Sequence, residues 1–252
     1  MRTFILVNTL QAVNSFVYAN HIDFACYNAK RYPDDLFFWN TPHRQTIDKS
    51  RNEAAIQALH LECDYLMFID DDVMVPKNTF ELLKNTDKDI IAALVYLRGY
   101  PFHTMAFKRL YEDEKADNQL RLTYYDDWEQ NIDSRGLVKV AAVGFSCCLV
   151  KCDVLKAMEP PYFITGPHNT EDVYFCLKTR ELDPLPEIYL NPNIKCGHLL
   201  NPEPIEYETR DLQIAYCEGI VKRLQQENNN MQNLRTQNPR TIEYIRRNVK
   251  NL

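Results

Sequence analysis

Tyr65–Pro76 reads YLMFIDDDVMVP: an unbroken apolar run, Tyr65-Leu66-Met67-Phe68-Ile69, ends abruptly on Asp70-Asp71-Asp72. A short continuous apolar segment of this kind is the signature of a central strand covered on both faces. In open α/β sheets, ligands bind beyond the carboxyl ends of the strands. Three adjacent carboxylates raise one another's pKa unless a cation sits among them. A hard divalent ion, Mn²⁺ or Mg²⁺, held by one or two carboxylates and completed by substrate phosphate oxygens, resolves that repulsion. The same tripeptide also reads as a solvated acidic turn ahead of the helix that follows Pro76.

Upstream, Phe4–Val7 is strand-like, and Ile22–Cys26 and Leu36–Trp39 are weaker strand candidates. Ile47, Ala54, Ala55, Ala58, Leu59 and Leu61 favour a helix over 47–61, with Thr46 or Asp48 near its start. Downstream, Asn78–Lys84 reads as a turn and short helix, and Ile90–Tyr96 as another buried strand. Residues 97–137 are irregular, with hairpin-like pieces at Thr104–Lys108 and Leu120–Tyr124. Val138–Val143 and Cys147–Val150 are strands around Gly144, and Thr170–Glu181 is a helix. Glu187–Leu190 and Ile194–Gly197 read as short strands separated by proline turns. This alternation predicts an α/β fold, a mostly parallel central sheet flanked by helices.

After Pro204 the composition shifts. Leu212, Tyr216, Ile220 and Leu224 fall four apart on one helical face, a Gln/Asn-rich stretch follows, and Thr241–Lys250 reads as a last helix. The expected organisation is a domain over 1–204 and a C-terminal helical appendage over 205–252. The appendage is a candidate homodimer contact, a membrane-surface dock or a cap on the domain.

The chain has 252 residues, 45% hydrophobic and 25% charged, which excludes a disordered or collagen-like protein. Its formal charge of −6 argues against nucleic acid as a partner. Six glycines form neither G-x-G-x-x-G nor G-x-x-x-x-G-K. No apolar run approaches the length of a membrane span. The opening Met1–Val7 run is broken by Asn8, Thr9 and Gln11, so it reads as a strand and not as a signal peptide. None of the eight cysteines forms C-x-x-C, and several lie in apolar stretches. They read as reduced, buried thiols, which points to a cytoplasmic location, the host cytoplasm for a viral chain.

Three further features carry chemistry. Thr170-Glu171-Asp172 opens an amphipathic helix; the acids complement the helix dipole there, or supply a general base held by a rigid helix start. His198 follows a short strand as a structural residue or a neutral imidazole ligand. Arg51, in the helix before the acidic strand, is a surface residue or a phosphate contact.

Tyr65–Pro76, Ala142–Met158 (AVGFSCCLVKCDVLKAM), Thr170–Cys176 (TEDVYFC) and Gly197-His198 together resemble the family-2-like glycosyltransferases of the GT-A fold. The resemblance covers roughly residues 1–200 and is to compact, non-processive members of bacterial and viral type. It implies a Rossmann-type nucleotide-diphospho-sugar transferase fold. Residues 1–100 would then be the nucleotide-sugar half and 101–204 the acceptor half. It implies a metal-dependent hexosyltransferase, UDP-sugar favoured, acting on a glycan, lipid-linked or protein acceptor, with Mn²⁺ or Mg²⁺ as cofactor. Asp70, Asp72 and His198 match the metal set, with Asp72 favoured as direct ligand and Asp70 as a ribose or metal contact. Thr9, Arg51, Asp70 and Asp71 match donor contacts. Asp172 matches the catalytic base, with Glu171 as the alternative. Gly144 and Phe145 match the acceptor-side segment, and His168 joins them.

The chain also departs from the family. The acidic residue that reads the uracil after the second strand has no clear counterpart, Asp23 lying inside the candidate strand. No Q-x-x-R-W motif follows, which argues against a polymerising synthase. A nucleotidyltransferase, a non-catalytic nucleotide-sugar-binding module and a retaining transferase are the competing readings. The N-terminal Asn8–Ser15 (NTLQAVNS) lacks the glycine- and cation-rich phosphate loop that the first would need.

Overall fold

The strands of the computed structural model are β1 (Arg2–Asn8), β2 (Leu36–Asn40), β3 (Tyr65–Asp70), β4 (Val73–Met74), β5 (Ile90–Leu94), β6 (Ala106–Glu112), β7 (Leu120–Tyr124), β8 (Val138–Lys139), β9 (Ala142–Val143), β10 (Cys147–Lys151), β11 (Ile188–Lys195), β12 (Gly197–Leu200) and β13 (Glu203–Ile205). The helices are α1 (Ser15–Arg31), α2 (Ile47–His60), α3 (Thr79–Lys84), α4 (Cys152–Lys156) and α5 (Glu171–Lys178). The structure describes residues 1–9, 13–112, 120–167, 169–200, 203–205, 210–211, 214–215, 217–219, 222 and 225–226. The chain divides into two compact units, Met1–Tyr207 and Glu208–Leu252. In the second, the described residues are helical. Leu212, Tyr216, Ile220, Leu224 and Thr241–Lys250 lie outside the described residues, as does His168.

Seven strands form the main sheet in the order β2-β1-β3-β10-β5-β11-β8. β1 pairs in parallel with β2 and β3, and β5 with β11; β10 and β8 run against their neighbours. The sheet is therefore mostly parallel and flanked by helices, the α/β class the alternation predicts. Thr3–Val7, Leu66–Ile69 and all of β5 are buried without alternation, as strands covered on both faces must be. On one face Ile5, Met67, Ile69 and Ile91 pack with Phe24 of α1 and Phe80 of α3. On the other, Phe68 meets Phe163 and Phe145, and Phe145 meets Phe175 of α5.

Three readings need correction. Ile22–Cys26 is not a strand but the middle of α1, whose buried residues Val17, His21, Phe24 and Asn28 follow helical spacing. Two of these four are polar, and that masks the periodicity. Asn14 caps the helix by accepting from the Phe16 N–H, and Asp23 is exposed on it. Glu187–Leu190 and Ile194–Gly197 are not separate strands: β11 runs through Pro192, and its register against β5 shifts between Asn191 and Lys195. Such an irregularity is where a sheet accommodates proline. His198 does not trail a strand; it sits on β12, opposite Val73 of β4.

Candidate active site

The order β2-β1-β3 makes the gap between β1 and β3 a topological switch point, where connections leave in opposite directions. Asn8 and Asp70, paired across these strands, mark its carboxyl end. A cleft of about 650 Å³ opens there, lined among others by Asn8, Thr9, Asp70, Asp71, Asp72 and Arg98. That size lies within the range of small-molecule sites.

Because β10 runs antiparallel to β3, its leading residues reach this same edge. The Asp70 N–H donates to the Ser146 carbonyl at 2.9 Å, and the Ser146 hydroxyl donates to Asp70 Oδ2 at 2.6 Å. On its other oxygen, Asp70 accepts from Arg51 at 3.3 Å. Burial raises the Asp70 pKa, against the pull of Arg51 and of the Ser146 hydrogen bond. Burial likewise raises Asp71, and Asp72 and Asp70 add to it. At Asp72 burial also pushes upward, but the hydrogen bond and charge of His198, with the charge of Arg98, outweigh it and leave the pKa lowered.

His198 is delivered by the small sheet β13-β12-β4, which extends the acidic turn itself. The Leu199 N–H donates to the Asp72 carbonyl at 2.8 Å, setting the register. Nδ1 of His198 lies 2.7 Å from the Tyr96 carbonyl, and Nε2 lies 3.3 Å from Asp72 Oδ1. A carbonyl only accepts, so Nδ1 carries a proton and fixes the ring's direction. Arg98, half exposed, places Nη1 2.8 Å from Asp72 Oδ2.

Arg51 is not on the surface; only 2% of it is exposed. Its guanidinium lies 5.7 Å from the Phe68 ring centroid and 5.6 Å from that of Phe145, and donates to Glu171 Oε1 at 2.6 Å. It therefore bridges Glu171 and Asp70. Glu171 is pushed up by burial, opposed by Arg51 and reinforced by Asp172. Phe145 is wholly enclosed in the aromatic cluster. Asp172, at the start of α5, accepts on Oδ1 from the Val173 N–H at 2.7 Å and from the Thr170 hydroxyl. A Cβ on Gly144 would lie 2.6 Å from Met105 Cε, the movable end of that side chain, 3.0 Å from Met105 Cβ, and at ordinary contact distance, 3.4 Å, from Asp172 Oδ2.

The structure thus brings Thr9, Asp70, Asp71 and Asp72 to one cleft, with His198 on Asp72. Arg51 and Glu171 are joined behind Asp70, and Asp172 stands beside Gly144. Among the described residues no three His, Cys, Asp or Glu side chains converge into a ready-made metal cage. Asp70, Asp71 and Asp72 nevertheless bring carboxylate oxygens, the donors a hard divalent ion takes, to an open cleft. Arg98 and Ser146 were not singled out from sequence. Arg98 follows the apolar run Ile90–Tyr96, and residues just past a buried strand were the signal for it. Ser146 carried no local signal, since the reversal of β10 alone brings it to Asp70.

No protein-family model matches the chain. A 58-residue stretch is 33% identical to the 20 kDa protein of Beet yellows virus (isolate Ukraine), covering 23% of this chain and 31% of that protein. The structure is similar to A197 from STIV, with a TM-score of 0.51 and 20% identity over 79% of this chain and 86% of the other. That similarity concerns the fold. Another similar structure is GalNAc-T7 with UDP, GalNAc and Mn²⁺, at a TM-score of 0.43 and 11% identity, covering 78% of this chain and 43% of that one. No helix among the described residues is long and apolar enough to cross a membrane.

Proposed function

We propose that the chain is a metal-dependent glycosyltransferase of the GT-A type. It would transfer a sugar from a nucleotide-diphosphate donor, UDP-sugar favoured, to an acceptor hydroxyl with inversion. The observation that carries this is the acidic turn at the sheet's switch point, with His198 brought to 3.3 Å from Asp72. In this reading Asp72 and His198 hold the cation with Asp70, which Ser146 and Arg51 keep in position. A divalent cation bound there supplies positive charge to the diphosphate leaving group.

The protein's own groups do the rest. Asn8 and Thr9 at the end of β1 line the donor side of the cleft. Glu171 is held by Arg51, which favours Asp172 as the base. The acceptor oxygen forms its bond to the anomeric carbon as the bond from that carbon to the phosphate oxygen breaks. Its proton passes to Asp172 Oδ2, and the electron pair leaves with the diphosphate. Alignment of the two reactants supplies much of the rate enhancement.

The test is calorimetric titration of UDP, GDP and their sugar conjugates, with and without Mn²⁺, on wild type and Asp72→Ala. The expected result is Mn²⁺-dependent binding of one nucleotide class, lost in the variant. Failure of every nucleotide to bind the folded protein overturns the proposal. Asp172→Asn is expected to keep donor binding and lose transfer by at least about 10²-fold. Binding without transfer by wild type, across a panel of acceptors, would favour a nucleotide-sugar-binding module instead.

A further inference from the structure

Among the described residues that line the acidic cleft, Arg98 is the one cation, set against the carboxylates of Asp48, Asp70, Asp71 and Asp72. Its Nη1 lies 2.8 Å from Asp72 Oδ2, while His198 Nε2 lies 3.3 Å from Oδ1 of the same carboxylate. One segment aims both groups. The Tyr96 carbonyl accepts from Nδ1 of His198 at 2.7 Å, and two residues on, Arg98 rides a short hairpin. That hairpin closes through the Tyr96–Thr104 bridge, with the Leu97 N–H donating to the His103 carbonyl at 2.8 Å and the Phe102 N–H to the Gly99 carbonyl at 2.7 Å. Phe102, buried, anchors the hairpin, so the part of Arg98 that can turn is its side chain.

The two arginines at the acidic turn differ in this respect. Arg51 is shut between Glu171 and Asp70, and moving it strands buried charge. The Arg98 side chain is 54% exposed. An ion pair that open to water holds its partners weakly, so the guanidinium leaves Asp72 at little cost. Its place on Oδ2 has a consequence for any cation held by Asp72. Guanidinium and divalent ion then share one carboxylate, and their like charges repel. A diphosphate reverses the sign, because a planar guanidinium donates paired hydrogen bonds to anionic phosphate oxygens.

We infer that Arg98 couples the two ligands of the cleft: its guanidinium, at Asp72 Oδ2, opposes a divalent cation bound alone and turns to the diphosphate of an arriving nucleotide, releasing Asp72 to the cation. This rests on the proposed reading of the cleft as a site for a nucleotide diphosphate and a cation. By linkage the effect is reciprocal, so the nucleotide also binds better once the cation has displaced Arg98 from Asp72. The cleft thereby favours the cation-loaded donor over the bare ion.

Mn²⁺ binding without nucleotide is read from the loss of the free-ion electron spin resonance signal, for wild type and Arg98→Met. Binding of UDP and GDP is read by calorimetry in saturating Mn²⁺. Arg98→Met is expected to bind Mn²⁺ alone roughly tenfold more tightly than wild type. It should bind the nucleotide that wild type takes roughly tenfold more weakly. Arg98→Lys, which keeps the charge, should hold Mn²⁺ affinity near that of wild type. Opposite signs for the two ligands separate this role from a merely structural one, since a disturbed cleft loses both. If wild type binds nucleotide in Mn²⁺ but Arg98→Met takes Mn²⁺ alone no more tightly, the inference is overturned and the transferase reading stands. Unchanged nucleotide affinity in Arg98→Met overturns it in the same way. Wild type that binds neither nucleotide in Mn²⁺ removes that reading, and the inference with it.

Discussion

A guanidinium shut away from water needs anionic partners, and Arg51 has two in Glu171 and Asp70. Breaking such a buried set by removing one member costs far more than deleting it whole, because the remaining charges lose their compensation. Arg51→Met should therefore destabilise the protein by about 3–5 kcal/mol in denaturant unfolding. Adding Glu171→Gln should restore part of that loss, since a neutral amide tolerates burial better than an unpaired carboxylate. A doubly substituted protein no more stable than Arg51→Met would show that Glu171 is not the group left stranded. Sequence placed Asp70, Asp72 and His198 by type and order. It did not reveal that Arg51 faces inward, because nothing local distinguishes a buried arginine from an exposed one. That depends on Glu171, 120 residues away, arriving beside it.

Glu187 binds three elements of the sheet's far side at once. It accepts from Lys88 before β5 at 2.7 Å and from Lys139 of β8 at 3.0 Å, just ahead of β11. The hydrogen bonds from Lys88 and then Lys139 hold its pKa down to about 2. Folding thus favours the charged form. The stabilisation is present above the ordinary glutamate pKa and fades as pH falls from there toward about 2. With the carboxylate 42% exposed, solvent screening keeps it to about 1 kcal/mol or less. Wild type should melt above Glu187→Gln at pH 6, and the two melting curves should converge on acidification. A constant gap down to pH 2 would contradict this. The elements themselves were unevenly legible. The doubly covered strands announced themselves as apolar runs. Helix α1 did not, because His21 and Asn28 occupy core-facing positions and break the apolar stripe. Strand β11 was split by Pro192, whose accommodation requires the register shift against β5.

Ligand binding to the first unit as a whole follows from the proposed function. A nucleotide donor with Mn²⁺ at a hundred times its Kd stabilises by about 2.7 kcal/mol. For a unit of this size that raises the melting temperature by roughly 5–10 °C. Thermal scanning should show the shift in wild type and its loss in Asp72→Ala. A metal-independent shift of equal size would leave donor binding intact and remove the role assigned to Asp72 and His198. At this scale the amino-acid sequence by itself determined the α/β class, the central position of β3 and the acidic break at its end. Those are written in contiguous residues, where burial on two faces demands an unbroken apolar run and solvent readmits charge. Only the tertiary structure decided that β10 turns back against β3 to bring Ser146 to Asp70. It likewise decided that β12 returns to the acidic turn with His198, and that Gly144 comes beside Asp172. These contacts join residues far apart in the chain through strand direction and register, which no local run of residues encodes.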